Sequence, residues 1–258
     1  MFVKRYGRGP RAFVCIHGWN ADHRSFDPVV PFLPEDATLY ALDLPGCGGS
    51  PLEPAASLAS VSAAIARAFE ALGATFTLVG HCTGAILGMN AALNCPELLE
   101  RVVLIDTFAA WPWYFRVFTS RIGPYAYAST FANPIGRWIT DQALASHRSA
   151  ESSFTEGFAR HRHDVNLQYL QIIDELKSPA SFASLEVPVD VIFGTRTFRA
   201  VRNAATVWRQ LWPHCDVWEL PRTGHLALRE SAAAVAEIVF EGAVCQPALA
   251  LTSNSAQL

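Results

Sequence analysis

The sequence predicts an α/β protein: a mostly parallel central sheet flanked by helices, with a helical cap inserted before the last strands. Three observations carry this. Short apolar, β-prone runs alternate with stretches of helical period. A Gly-x-Cys-x-Gly turn at residues 80–84 joins one such run to one such helix. The side chains best suited to chemistry each fall just past a run, the edge where open parallel sheets place their sites.

Taken in order, only eleven residues precede Ala12, which leaves room for one short edge strand near residues 2–6. Residues 12–16, 38–42, 77–79, 101–106, 187–193 and 215–220 read as strands. Leu58, Val61, Ile65, Phe69 and Leu72 recur at spacings of 3, 4, 4 and 3, one apolar stripe of a helix that Gly73 ends. Residues 85–93, 165–176 and 231–240 are also helical in pattern. Strand and helix alternate up to Asp106, which implies parallel pairs with right-handed crossovers. Residues 107–184 then lack punctuated strands and are rich in aromatics. The expected organisation is a core of residues 1–106 and 185–245, a helical cap or lid of residues 107–184, and a small, polar, disordered tail at 246–258.

The totals exclude several classes. A hydrophobic content of 51% and a charged content of 17% are those of a chain with a real core. A net charge of −3 gives no global attraction to nucleic acid. No apolar run approaches the roughly 18 residues of a membrane span, and the charged N-terminus has no signal-peptide core behind it. Cys15 and Cys82 fall in or at the ends of buried-looking strands and no secretory signal accompanies the six cysteines, so they read as reduced thiols of a cytoplasmic protein; with no Cys-x-x-Cys pair, neither a zinc ribbon nor a thioredoxin-like site is expected. The glycines of Asp43-Leu-Pro-Gly-Cys-Gly-Gly-Ser50 lack the Gly-x-Gly-x-x-Gly spacing of a phosphate cradle and read as a structural turn. His161 and His163 would diverge on a helix, so no metal site is expected there, and no cofactor is called for.

Acyl transfer needs a nucleophile, a base that takes and returns a proton, and a group that orients the base. Cys82, His225 and Asp106 have the right chemistry, each at a strand end. A cysteine is otherwise a small buried hydrophobe, the reading that fits Cys15, Cys95, Cys215 and Cys245. At a sharp strand–helix turn the side chain is presented instead of buried, and the helix N-terminus should favour its thiolate. Asp106 has a turn aspartate as its alternative. Asp190 lies at the wrong end of its strand, and the loop 194–197 holds no carboxylate.

The Gly80-His81-Cys82-Thr83-Gly84 turn, with His17-Gly18 after an earlier strand, resembles the nucleophile elbow of the α/β-hydrolase superfamily with sulfur in place of oxygen. The order Cys82, Asp106, His225 is similar to that superfamily's nucleophile–acid–histidine order. Residues 80–107, ending in Leu104-Ile105-Asp106, resemble the thioesterase domains of polyketide and peptide assembly lines. The resemblance implies that the backbone N–H groups of Trp19 and Thr83 form an oxyanion hole. It also implies a covalent acyl-thioester on Cys82, with a thioesterase or acyltransferase acting on a CoA- or carrier-protein-bound acyl group. A carboxylester or lactone hydrolase is the alternative, and a catalytically silent binding protein of the same fold is the rival from another class. Trp111, Trp113, Tyr114 and Phe115 are the candidate acyl-binding aromatics, with the cap's own core as their alternative role.

Overall fold

The computed structural model describes residues 1–52, 56–110, 112–176 and 178–242. Its elements run β1 (Val3–Gly7), β2 (Arg11–Ile16), β3 (Ala37–Leu42), α1 (Leu58–Glu70), β4 (Phe76–His81), α2 (Thr83–Ala92), β5 (Leu99–Ile105), α3 (Arg116–Thr119), α4 (Gly123–Tyr127), α5 (Pro134–Ala143), α6 (His163–Asp174), β6 (Val189–Gly194), α7 (Arg199–Leu211), β7 (Asp216–Leu220), α8 (Ala227–Glu230) and α9 (Ala232–Glu241). The expected tail at 246–258 and Cys245 lie outside the described residues, as does Trp111.

The strands form one seven-stranded sheet in the order β1-β3-β2-β4-β5-β6-β7. Only β1 runs antiparallel, against β3. After the edge strand β1, the parallel part starts at β2, steps outward to β3 between β1 and β2, then crosses back to β4 on the other side of β2. The strand order therefore reverses between β2 and β4, and a crevice opens at their C-terminal ends. Alternate strand residues serve opposite layers, as the two-residue period of a strand requires. Val14, Ile16, Leu78, Leu104 and Val191 pack with α1, α2, α6 and α7. Phe13, Cys15, Val79, Ile105 and Ile192 pack with α8, α9 and a 3₁₀ run over residues 23–32.

Helix ends follow the local sequence. Ser57 and Ser60 form a reciprocal cap at the start of α1. The chain leaves that helix through Gly73, at φ +65°, with nothing near the position a side chain would take. Two features lacked a legible signal. The 3₁₀ run carries prolines at 28 and 31, which break any helical pattern, yet it buries Phe26 and Val29. Helix α7 buries only Val201, Ala204, Ala205 and Trp208, a stripe thinned by its two alanines.

Between β5 and β6 the described residues are helical or irregular, with α3 to α6 as the main pieces. They build a separate cluster of Tyr127, Phe131, Phe158 and Leu170, onto which Trp19 of the β2 loop packs. None of the described helices is long and apolar enough to cross a membrane.

Helix α2 packs very closely on the sheet. A Cβ on Gly84 would stand 2.2 Å from the His17 carbonyl oxygen and 2.4 Å from that of Ile16. Gly84→Ala is predicted to cost about 3 kcal/mol or to abolish soluble folding, whereas Gly73→Ala, which meets only backbone strain, should cost about 1 kcal/mol. Urea unfolding of the two variants checks the difference; equal losses would contradict the close-approach reading.

Candidate active site

Cys82 sits between β4 and α2 with φ 52° and ψ −122°, a backbone conformation that costs a residue with a side chain. Its N–H donates to the Ile105 carbonyl at 2.8 Å, so the turn is tied to the end of β5. One residue further along β5, Asp106 also has positive φ, 47°. Its N–H donates to Ile192 O at 2.8 Å, which extends the ladder to β6. Two neighbouring strands thus end in strained, non-glycine residues, and both are residues singled out for chemistry.

The loop after β2 is pinned beside them. His17 is fully buried; its Nδ1 lies 2.8 Å from the Gly18 carbonyl, and its Nε2 accepts the Leu44 N–H at 3.1 Å. Gly18 approaches so closely that a Cβ there would lie 3.0 Å from that of Cys82. Trp19 follows, its indole N–H donating to Asn166 O at 2.8 Å. The backbone N–H groups of Trp19 and Thr83 have no backbone acceptor among the described residues, and both residues line the same cavity as Cys82.

That cavity has a volume of about 400 Å³. Cys82 and His225 are part of its wall. Trp19, Phe115, Phe131, Phe158 and Leu144 give it an apolar side drawn largely from the inserted helices. The lining also includes the polar side chains Asp22, Arg24, Glu156, His161 and Arg229. Asp22 accepts from Arg24 at 2.5 Å and lies 3.0 Å from His161 Nε2, and these contacts hold its carboxyl well below the usual range despite burial.

His225 stands after β7, packed by Phe198 and Phe108 with ring centroids 4.9 and 5.9 Å away. Its backbone N–H donates to His147 O at 2.9 Å, which ties the histidine loop to the inserted segment. Glu230 strengthens that tie by accepting Gly224 N–H at 2.7 Å and Ser149 N–H at 3.0 Å. Asp106 is fully buried, and the nearest approach of its Oδ1 to His225 Nδ1 is 4.0 Å, too long for a hydrogen bond. The Thr197 hydroxyl is closer, 3.3 Å from that nitrogen.

Burial dominates the electrostatics. It pushes the Cys82 thiol up to about 12, with the Asp106 charge adding to the rise and the Thr83 N–H opposing it. The expectation of a thiolate favoured by the helix N-terminus is therefore corrected: loss of water outweighs the helix end, and the resting group is a thiol. Burial likewise holds Asp106 well above the ordinary carboxyl range and His225 well below the ordinary imidazole range.

The candidate acyl-binding aromatics divide. Phe115 lines the cavity, but Trp113 is 80% exposed and turned to solvent. Tyr114 is half-exposed and absent from the cavity wall, although it lies near enough to feel charge on Cys82. The short turn at 113–115 presents successive side chains in different directions, so a cluster in sequence is not a cluster in the wall. Phe131, Phe154, Phe158 and Phe198 take that place instead, and their scatter along the chain left no local signal.

Asp22, His23 and Asp43 are grouped closely enough to hold a cation. Their atoms already serve the fold: Asp43 accepts His23 N–H at 2.6 Å and Gly49 N–H at 2.7 Å, and Asp22 is taken by Arg24. His161 and His163 part as expected, the first toward Asp22 and the second toward the Tyr127 hydroxyl at 3.1 Å. Asp190, at the far end of β6, pairs with Arg101 at 2.7 Å.

With this geometry in view, a family model described as alpha/beta hydrolase family matches residues 13–238. The chain belongs to the alpha/beta hydrolase family. It is 32% identical over 207 residues to a pimeloyl-(acyl-carrier protein) methyl ester esterase of Methylococcus capsulatus, covering 76% of this chain and 80% of that protein. A serine hydrolase-like protein of Danio rerio is 37% identical over 107 residues, 40% of this chain; the match spans only about a third of that relative's length, 32%. Among solved structures, the enol-lactonase of Burkholderia xenovorans superposes with a TM-score of 0.74 at 17% identity, covering 93% of this chain and 95% of that one. Cfl2 of Burkholderia cenocepacia gives 0.74 at 20% identity, covering 93% and 90%. At these identities the structural matches speak to the fold.

His81, whose Nε2 lies 3.1 Å from the His225 carbonyl, generates a pH prediction. Burial lowers it from 6.5 to about 4. The fold therefore favours its neutral form, a stabilisation present above the unfolded value and lost as pH falls through about 4. His81→Gln, which keeps a donor, should lessen the loss of stability between pH 7 and pH 4 by roughly 3 kcal/mol. Urea unfolding at both pH values tests this; an unchanged acid loss would contradict it.

Proposed function

We propose that this hydrolase-family chain cleaves carboxylic esters or lactones through an acyl-enzyme on Cys82, with His225 as base and Asp106 as the acid that supports it. The reading is carried by one observation: the strained Cys82 and the buried His225 face a common, largely apolar cavity. The relatives' names favour hydrolysis of esters or lactones over the acyl transfer first expected from the cysteine, so hydrolysis leads.

In this scheme the His225 imidazole takes the thiol proton as the Cys82 sulfur forms a bond to the acyl carbon. The carbonyl electron pair moves to oxygen, where the N–H groups of Trp19 and Thr83 donate to it. Collapse breaks the bond to the alkoxide, which leaves with the proton from His225. Water then repeats the sequence on the thioester and frees the acid. Because the resting thiol is neutral, proton transfer accompanies attack instead of preceding it.

The aromatic wall suits a hydrophobic acyl group, and the inserted helices act as a cap over it. A CoA- or carrier-protein-linked acyl group is the second reading. It is favoured by the cysteine itself, since a thioester exchanges with a thioester at little free-energy cost. The five described cysteines are unpaired, which fits a reducing compartment such as the cytoplasm.

Intact-mass measurement after mixing with a matched short-chain ester and thioester tests the proposal. The wild-type chain should gain one acyl mass, mapped to Cys82. Cys82→Ala should lose the adduct and at least about 1000-fold in kcat/KM. Turnover that survives Cys82→Ala would overturn the covalent route, and a folded wild-type chain that neither acylates nor turns over would favour the silent binding protein. A thioester kcat/KM well above the ester's would move the second reading ahead of the first.

A further inference from the structure

The acid and the base of the proposed site do not meet directly. His225 Nδ1 and Asp106 Oδ1 are 4.0 Å apart, and neither oxygen of Asp106 has a hydrogen bond of ordinary geometry among the described residues. Both groups are nevertheless enclosed, Asp106 at 0% exposure. A buried carboxyl whose donors sit at poor geometry is costly, and a base without an oriented partner can rest in the wrong tautomer.

One side chain acts on both. Thr197, 1% exposed, follows β6 and is fixed there by its N–H to Gly194 O at 3.1 Å. The turn is held further by Arg196 N–H to Thr223 O at 2.8 Å and by Arg222 N–H to the Thr195 hydroxyl at 2.9 Å. These bonds join the 194–197 turn to the loop that carries His225, which keeps the hydroxyl on the side of the ring. Thr197 Oγ1 stands 3.3 Å from His225 Nδ1. The same hydroxyl, with the backbone N–H groups of Gly194 and Ala227, opposes the effect of burial on Asp106 and favours its ionised form.

We infer that Thr197 is a positioning residue, its hydroxyl bridging Asp106 to His225 in place of a direct carboxylate–imidazole bond. The inference rests on the function proposed above. With the proton assigned to Nδ1, the imidazole donates to Thr197 Oγ1, and the Thr197 O–H donates to a carboxyl oxygen of Asp106. Nε2 is then left unprotonated, the tautomer a base toward Cys82 requires. When the thiol proton arrives at Nε2, the imidazolium charge is felt by Asp106 through the hydroxyl. No covalent bond to Thr197 forms or breaks. A threonine at this place makes a loop without a carboxylate serviceable: the hydroxyl reaches one way to the end of β5 and the other way to the loop after β7.

The test is a double-mutant cycle on the rate of Cys82 acylation by a short ester, read by intact mass with peptide mapping. Thr197→Val keeps the shape and removes the hydroxyl; it should slow acylation at least about tenfold. Thr197→Ser should restore the rate to within about threefold of wild type. Asp106→Asn should slow the wild-type chain strongly but slow Thr197→Val much less, because the bridge is already broken. A purely structural threonine would give multiplicative losses and no rescue by serine. If the valine variant fails to fold, Thr197→Ala against Thr197→Ser carries the same comparison. Multiplicative losses, or wild-type acylation in the hydroxyl-free variant, overturn the bridge while leaving Cys82 as nucleophile. Absence of any acyl mass on Cys82 in the wild-type chain overturns the underlying function instead.

Discussion

The close approach of α2 to the sheet is the constraint on which the rest depends. The first turn of that helix presses on the backbone at the end of β2, where a Cβ at residue 84 would collide with two carbonyl oxygens. Gly80 makes the matching contact from the strand side, where a Cβ would stand 2.1 Å from Ala85 Cα. Held between these contacts, Cys82 has no room for an ordinary backbone conformation, and its strain of about 1–3 kcal/mol is offset by the burial of α2. The same joint brings the β2 loop alongside, so that Trp19 and Thr83 flank the sulfur without any element of their own devoted to it.

Burial is the second theme, and it works against charge. Thiol, imidazole and carboxyl are each pushed toward the neutral form. A thiolate waiting in this enclosure would need charge without water, so in the proposed route the sulfur is activated only while its proton moves. Asp106 illustrates the cost. Its raised pKa means that the fold is favoured while the group stays protonated, and that contribution is lost as pH rises through the folded value.

Much of this was legible in the sequence, for reasons that are local. The elbow is written in glycines because only a missing Cβ allows the contacts at residues 80 and 84. The strands are written in runs such as 12–16 and 101–105, because a sheet covered on both faces tolerates little else. The order of Cys82, Asp106 and His225 could be read because each ends a strand. The cavity wall could not. Phe131, Phe158 and Phe198 come from three separate turns, and nothing in their spacing distinguishes wall from core. Trp113, conspicuous in the sequence, faces water. The thiol's protonation state was misjudged from the helix end alone, since the enclosure by later residues such as Phe108 and Phe198 is a property of the assembled fold. Thr197 was passed over because the loop was searched for a carboxylate and not for a hydroxyl.

The central claim is that strain at residue 82 aims a sulfur at an acyl carbon whose oxygen meets two backbone amides. A crystal structure of the chain treated with an acyl-mimicking electrophile measures this most directly. The account predicts a covalent bond to Cys82 Sγ, with the ligand oxygen within hydrogen-bond reach of both the Trp19 and Thr83 N–H groups. Attachment to another cysteine, or an oxygen turned away from those amides toward solvent, would contradict it.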